Sequence, residues 1–148
     1  MITGKWTYRS YRNDAALIGD DAAAALALIF GEGVFDLHPG DDTHFGGTLN
    51  MGENYALTLT GAIDPGEADG TFGIVGLGID GTPTAGWRYD YRGVVGAMWP
   101  NAVAQIPCLL GTVIRVNPHG PNAPAGVTAS FVAVRQSDVI SPDTAPHS

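Results

Sequence analysis

The chain is short of positive charge and almost without lysine. Seven basic residues, of which only Lys5 is a lysine, stand against fifteen acidic ones, giving a formal charge of −8 over 148 residues. No basic face is available to neutralise phosphates, which sets aside nucleic acids and anionic membrane surfaces as partners. Cysteine occurs once, at Cys108, so an internal disulfide is excluded and nothing points to an oxidising compartment. Its neighbours Ile106, Pro107, Leu109 and Leu110 mark it as a small buried hydrophobe rather than a reactive thiol. No apolar run reaches the roughly 18 residues that a membrane span requires. The opening Met1-Ile2-Thr3-Gly4-Lys5-Trp6 carries no cationic region followed by an apolar one. These absences lead to the expectation of a soluble, cytoplasmic protein.

The usual catalytic signatures are missing as well. There is no G-x-S-x-G elbow, phosphate-binding loop or H-E-x-x-H pair. Gly76-Leu77-Gly78-Ile79-Asp80-Gly81 matches the dinucleotide pattern G-x-G-x-x-G, but Thr82-Pro83-Thr84 follow it where a helix would have to begin. No cofactor is expected. His38, Asp41, Asp42 and His44 share one Pro-Gly turn, where two exposed aspartates more readily solvate themselves than close a metal site, and no metal is expected.

What the chain does have is glycine and proline, 21 and 10 residues, spaced as punctuation. That spacing suits strands joined by turns. Between the turns lie runs with period-two alternation: Leu57 and Leu59 follow Tyr55 on one face, and Trp87, Tyr89 and Tyr91 oppose Arg88, Asp90 and Arg92. Strand-like segments fall at about 2–11, 28–37, 46–51, 55–63, 71–79, 85–95, 103–116 and 127–136. Eight strands in sequence, joined by short turns, predict an all-β fold: a closed antiparallel up-and-down barrel, which removes its own edges. Asp20 and Asp21 ahead of Ala22-Ala23-Ala24-Ala25 place a short helix or lid between the first two strands. The barrel forms one domain over 1–136, and 137–148 is expected to be a loose tail.

Gly4-Lys5-Trp6 opens the first strand and Arg135 lies in the last. A G-x-W in the first strand with an arginine from the final strand packing over the indole resembles the closing latch of the calycin group, which includes lipocalins, fatty-acid-binding proteins and avidins. The resemblance implies a barrel stoppered at one end by Trp6, with Gly4 and Arg135 completing the latch and a ligand cavity inside.

The segment from Trp87 to Arg92 decides where such a cavity would lie, and its parity is open. With the rings inward it builds a flat-walled pocket, tyrosine hydroxyls serving as polar handles; with the charges inward it offers a guanidinium to an anionic group. The ring-inward choice makes Tyr8, Trp87, Tyr89 and Tyr91 the wall, with Arg9 or Arg115 anchoring a polar end. Trp99, in the loop after the sixth strand, belongs at a barrel mouth, at a subunit contact or in plain packing. His119, between Pro118 and Pro121, has no nameable partner in the sequence and is taken as an ordinary loop histidine.

Three functions remain open. The first is a binding barrel for a small hydrophobic or aromatic molecule. The second is a cofactor-independent isomerase or cyclase that shuttles a proton between Tyr or Asp groups. The third is a structural module forming homo-oligomers through the segment from Val103 to Val116, which is apolar on both faces.

Overall fold

A computed structural model describes residues 2–64 and 70–137. Eight antiparallel strands follow one another around a closed barrel, each paired with its neighbours in sequence and the last with the first. They are β1 (Gly4–Arg12), β2 (Ile29–Pro39), β3 (His44–Asn50), β4 (Ala56–Ile63), β5 (Thr71–Gly78), β6 (Arg88–Val95), β7 (Cys108–Arg115) and β8 (Thr128–Arg135). Between β1 and β2 lie a single helical turn, α1 (Ala15–Ile18), and a 3-10 helix, Ala22–Leu28. Asp14 and Asp21 cap them, each accepting a hydrogen bond from the backbone N–H two residues on. No helix among the described residues is long and apolar enough to cross a membrane.

Alternation sorts every strand into an inward and an outward set. Trp6, Tyr8 and Ser10 of β1 are buried, as are Phe35 and Leu37, Leu57 and Leu59, Tyr89 and Tyr91, Leu109 and Val113, and Ala129, Phe131 and Ala133. The outward set includes exposed apolar residues, most of them along β5 to β8: Leu77, Val94, Leu110, Ile114 and Val134, with Ile29 on β2.

An eight-stranded barrel has a bore only just wide enough for its own side chains. Here large rings fit because glycines stand opposite them. Phe45 pairs with Gly61, Phe72 with Gly93 and Phe131 with Gly111 as direct cross-strand partners. A methyl group added to Gly61 would meet the Phe45 ring at 2.5 Å, one on Gly93 the Phe72 ring at 3.0 Å, and one on Gly111 the Phe131 ring at 2.8 Å. Each ring covers the backbone that its glycine leaves bare.

The end reached by the start of β1 and the finish of β8 is closed by Trp6, whose indole N–H donates to the carbonyl of Thr3 at 3.0 Å. Arg135 is the register partner of Trp6, and its guanidinium lies over Gly4, where a β-carbon would stand 2.7 Å from Nε. Gly4 also sits at φ +92, a backbone conformation that side chains disfavour, so the position has two separate reasons to be glycine.

Several sequence expectations need correction. The sixth strand begins at Arg88 rather than 85, and the seventh at Cys108 rather than 103. The turn-forming residues Thr82 to Ala85 are held by Thr82 and by Thr84, whose Oγ1 donates to the carbonyl of Ala56 at 2.8 Å, which leaves them no ladder partner. Val103 stands fully in solvent ahead of β7. Cys108 falls on the outward parity and is only partly buried. Most of the 137–148 segment lies outside the described residues.

Trp6→Ala is expected to lower stability by about 3–5 kcal/mol, as a large-to-small change in a packed core. Gly111→Val, whose β-carbon would press on the Arg92 carbonyl oxygen and the Phe131 ring, should cost at least about 1–3 kcal/mol. Urea unfolding measures both. A midpoint unmoved by either substitution contradicts the packing described.

Candidate functional site

The half of the bore away from Trp6 is not filled. It holds a cavity of about 430 Å³ lined by Tyr8 and Ser10 of β1, Phe30, Gly31 and Glu32 of β2, Leu49, Met51, Tyr55 and Leu57 around the β3–β4 turn, Trp87, Tyr89 and Tyr91, Arg115 and His119. Space remains because small residues face one another: Ser10 and Gly31 are cross-strand partners on the inward side, where two long side chains would have closed the bore. The β1–β2 pairing slips by one residue directly after Ser10, a bulge at the mouth that turns the strand ends aside.

Tyr8 and Tyr91 make the floor, with ring centroids 6.0 Å apart and both packed on Phe35. The Tyr8 hydroxyl lies near those of Tyr91 and Ser10. Burial pushes the Tyr8 phenol up to about 12 and raises that of Tyr91 as well. Both are therefore neutral hydroxyls under ordinary conditions, able to donate or accept.

One wall is a chain of three polar groups. Arg115 is buried, and its Nε donates to the Tyr89 hydroxyl at 2.9 Å. Tyr89 Oη lies 2.6 Å from His119 Nε2. The arginine can only donate, so the phenol accepts from it; with the phenol's own proton turned to His119, Nε2 accepts and is unprotonated. The imidazole stacks on Trp87 with centroids 3.8 Å apart and planes 14° apart. Burial first, then the Arg115 charge, lower the His119 pKa below that of a free histidine. The guanidinium also donates to the Pro124 carbonyl at 3.2 Å and lies 4.9 Å from the Phe30 centroid.

The structure thus brings Tyr8, Trp87, Tyr89, Tyr91 and Arg115 to one cavity and settles the parity of β6 with its rings inward. Arg88 and Asp90 form their ion pair on the outer side at 3.0 Å. Two expected contacts lie elsewhere. Arg9 falls between the inward Tyr8 and Ser10, so alternation sends it outward, where it meets Glu32 at 3.6 Å. Trp99 follows the end of β6 at the Trp6 end of the barrel, opposite the cavity, and is largely exposed with its backbone held by the Gln105 amide.

His119 is the residue that sequence reasoning passed over. Its partners Trp87 and Tyr89 lie some thirty positions away along the chain, and the β7–β8 connection is folded in by the bond from the His119 N–H to the Ala123 carbonyl. The one available signal was a histidine held between two prolines in a short connection. Phe30 and Ser10 were likewise missed. His38, from the turn weighed as a metal site, instead faces Asp36 at 3.3 Å, and no three metal-ligating side chains converge among the described residues.

Comparison with protein-family models, with curated proteins and with solved structures gave no match, so the site is read from its own geometry.

The lowered His119 pKa has a consequence for stability. An unfolded chain binds this proton near pH 6.5 and the folded chain only at lower pH, so the contribution is whole above about 6.5 and fades as pH falls through the folded value. The thermal midpoint of the protein should therefore drop more steeply on acidification from about pH 7 to about pH 5 than that of His119→Gln. Parallel profiles would show that the imidazole is not held neutral by the fold.

Proposed function

We propose that this barrel binds a small, largely apolar or aromatic molecule in the cavity between Trp87, Tyr91 and Leu49, with the polar end of the ligand toward Arg115. The observation that carries this is the division of the bore. Rings on glycines fill the middle of the bore and a smaller cavity of about 300 Å³ lies at the Trp6 end, while the far end keeps about 430 Å³ lined mainly by aromatic and aliphatic side chains with a few convergent polar groups. That size and that lining belong to small-molecule sites rather than to packing defects, which are smaller than a few waters. The closed eight-stranded meander and the grouping of Gly4, Trp6 and Arg135 at its stoppered end support a calycin-like ligand barrel.

A second reading is favoured by the Tyr89–His119 contact. A phenol at 2.6 Å from an unprotonated imidazole, polarised by a guanidinium on its other side, is able to pass a proton, as a cofactor-independent isomerase or cyclase requires. The two readings part on the fate of the ligand. A binder releases it unchanged, whereas an enzyme releases an isomer of equal mass and different chromatographic retention.

Native mass spectrometry of protein purified from its own source is expected to show a co-purifying small molecule. In vitro, N-phenyl-1-naphthylamine should brighten on entering the cavity and quench Trp87. Tyr91→Ser, which replaces a wall ring by a hydroxyl, should weaken its binding by about tenfold or more, the loss of most of one buried ring. Unaltered binding in Tyr91→Ser would move the site out of the cavity.

A further inference from the structure

Arg115 is a buried cation without an anion. Its two protein acceptors, the Tyr89 hydroxyl and the Pro124 carbonyl, are both neutral, and among the described residues none of the ion pairs involves it. The carboxylate at the cavity rim, Glu32, is taken by Arg9 outside the barrel. A guanidinium has five N–H donors, and a buried one is costly unless its charge is answered. Here aromatic faces answer it in part, and the cavity lies directly beside it.

The hydrogen-bond chain adds a second constraint. While His119 Nε2 accepts, the only proton on Tyr89 Oη is turned away from the cavity toward the imidazole. An anion set against Arg115 needs that proton. That proton is freed when His119 Nε2 donates instead of accepting, as it does in the protonated ring.

Resting on the reading of the cavity as a ligand site, we propose that its ligand carries one anionic group, a carboxylate or sulfonate on an apolar or aromatic body, and that seating this group between Arg115 and Tyr89 brings a proton from solvent onto His119. The group receives N–H from Arg115 and O–H from Tyr89, and the imidazolium then donates to the same phenolic oxygen. The titratable and charged groups that share the cavity with His119 are Tyr89 on β6, Arg115 on β7, Tyr55 across the mouth, Tyr8 and Tyr91 on the floor and Glu32 at the rim, which is paired with Arg9; Arg88 and Asp90 are paired with each other on the outer side. The bound anion offsets the Arg115 repulsion that otherwise disfavours the imidazolium. Affinity for the anion therefore rises as pH falls.

Two probes of nearly one shape test this: 8-anilinonaphthalene-1-sulfonate and its neutral counterpart N-phenyl-1-naphthylamine, titrated by fluorescence at pH values from about 8 to about 5.5, a span that brackets the free histidine value. The expected result is tighter binding of the sulfonate by about tenfold or more, a ratio that collapses in Arg115→Gln and partly returns in Arg115→Lys. Sulfonate affinity should increase several-fold toward acid in the parent protein and stay flat in His119→Gln, while the neutral probe is flat in both. Circular dichroism establishes that each variant is folded, and the comparison of probes in the parent protein decides the charge preference even where a variant fails to fold. Neutral binding equal to or tighter than sulfonate binding overturns the proposal and leaves the cavity reading standing. An acid-dependent rise that survives in His119→Gln overturns the proton linkage, and failure of both probes to bind overturns the cavity reading itself.

Discussion

Closing eight strands on themselves leaves a bore about as wide as the side chains that point into it, and the rest of this structure is an answer to that constraint. Three phenylalanines enter because each lies across the backbone of a glycine on the adjoining strand. Phe45 and Phe72 lie toward the Trp6 end, and Phe131 joins Tyr8, Phe35 and Tyr91 in a layer that seals the middle. What lies beyond that layer is open because Ser10 and Gly31 meet there instead of two rings. The cavity is thus set by the order of large and small residues along neighbouring strands.

The polar groups of the cavity are arranged by the same closure. Arg115 is the last inward position of β7 and Tyr89 the first of β6, and the antiparallel register makes them direct neighbours. His119 is brought to them by the connection that follows. In a site this apolar, a charge is felt strongly and a proton's position matters. The Arg115–Tyr89–His119 chain ties the two together: which way the phenol points depends on whether the imidazole accepts or donates, and that depends on what charge stands beside the guanidinium. Tyr8 and Tyr91, kept neutral by burial, give the floor hydroxyls without adding charge.

Much of the architecture was legible in the sequence because alternation and turns are local. Period-two patterning over Trp87 to Arg92 and over the Leu57–Leu59 run located two strands, and the glycine and proline spacing located most of the others. The ends were less legible where a turn made its own hydrogen bonds, as Thr82 and Thr84 do ahead of β6. The site was read in part. Tyr8, Trp87, Tyr89, Tyr91 and Arg115 share the inward parity once the barrel closes, but nothing local distinguishes Arg9, one residue from an inward tyrosine, from an inward arginine. Trp99, aromatic and in a loop, stayed open between mouth, subunit contact and plain packing, and only the direction of β6 shows that its loop is at the stoppered end. His119 was invisible because its role comes from partners on another strand, an arrangement that composition and spacing do not encode.

The central claim, a bore packed across its middle by rings and open to a ligand between Trp87, Tyr91 and Leu49, is tested most directly by a crystal structure of the protein soaked with N-phenyl-1-naphthylamine. The account predicts density for the naphthyl group against Trp87 and Tyr91, above an unchanged layer of Tyr8, Phe35 and Phe131. A bore filled by side chains at that level, or a probe seated beside Trp6 instead, would contradict it.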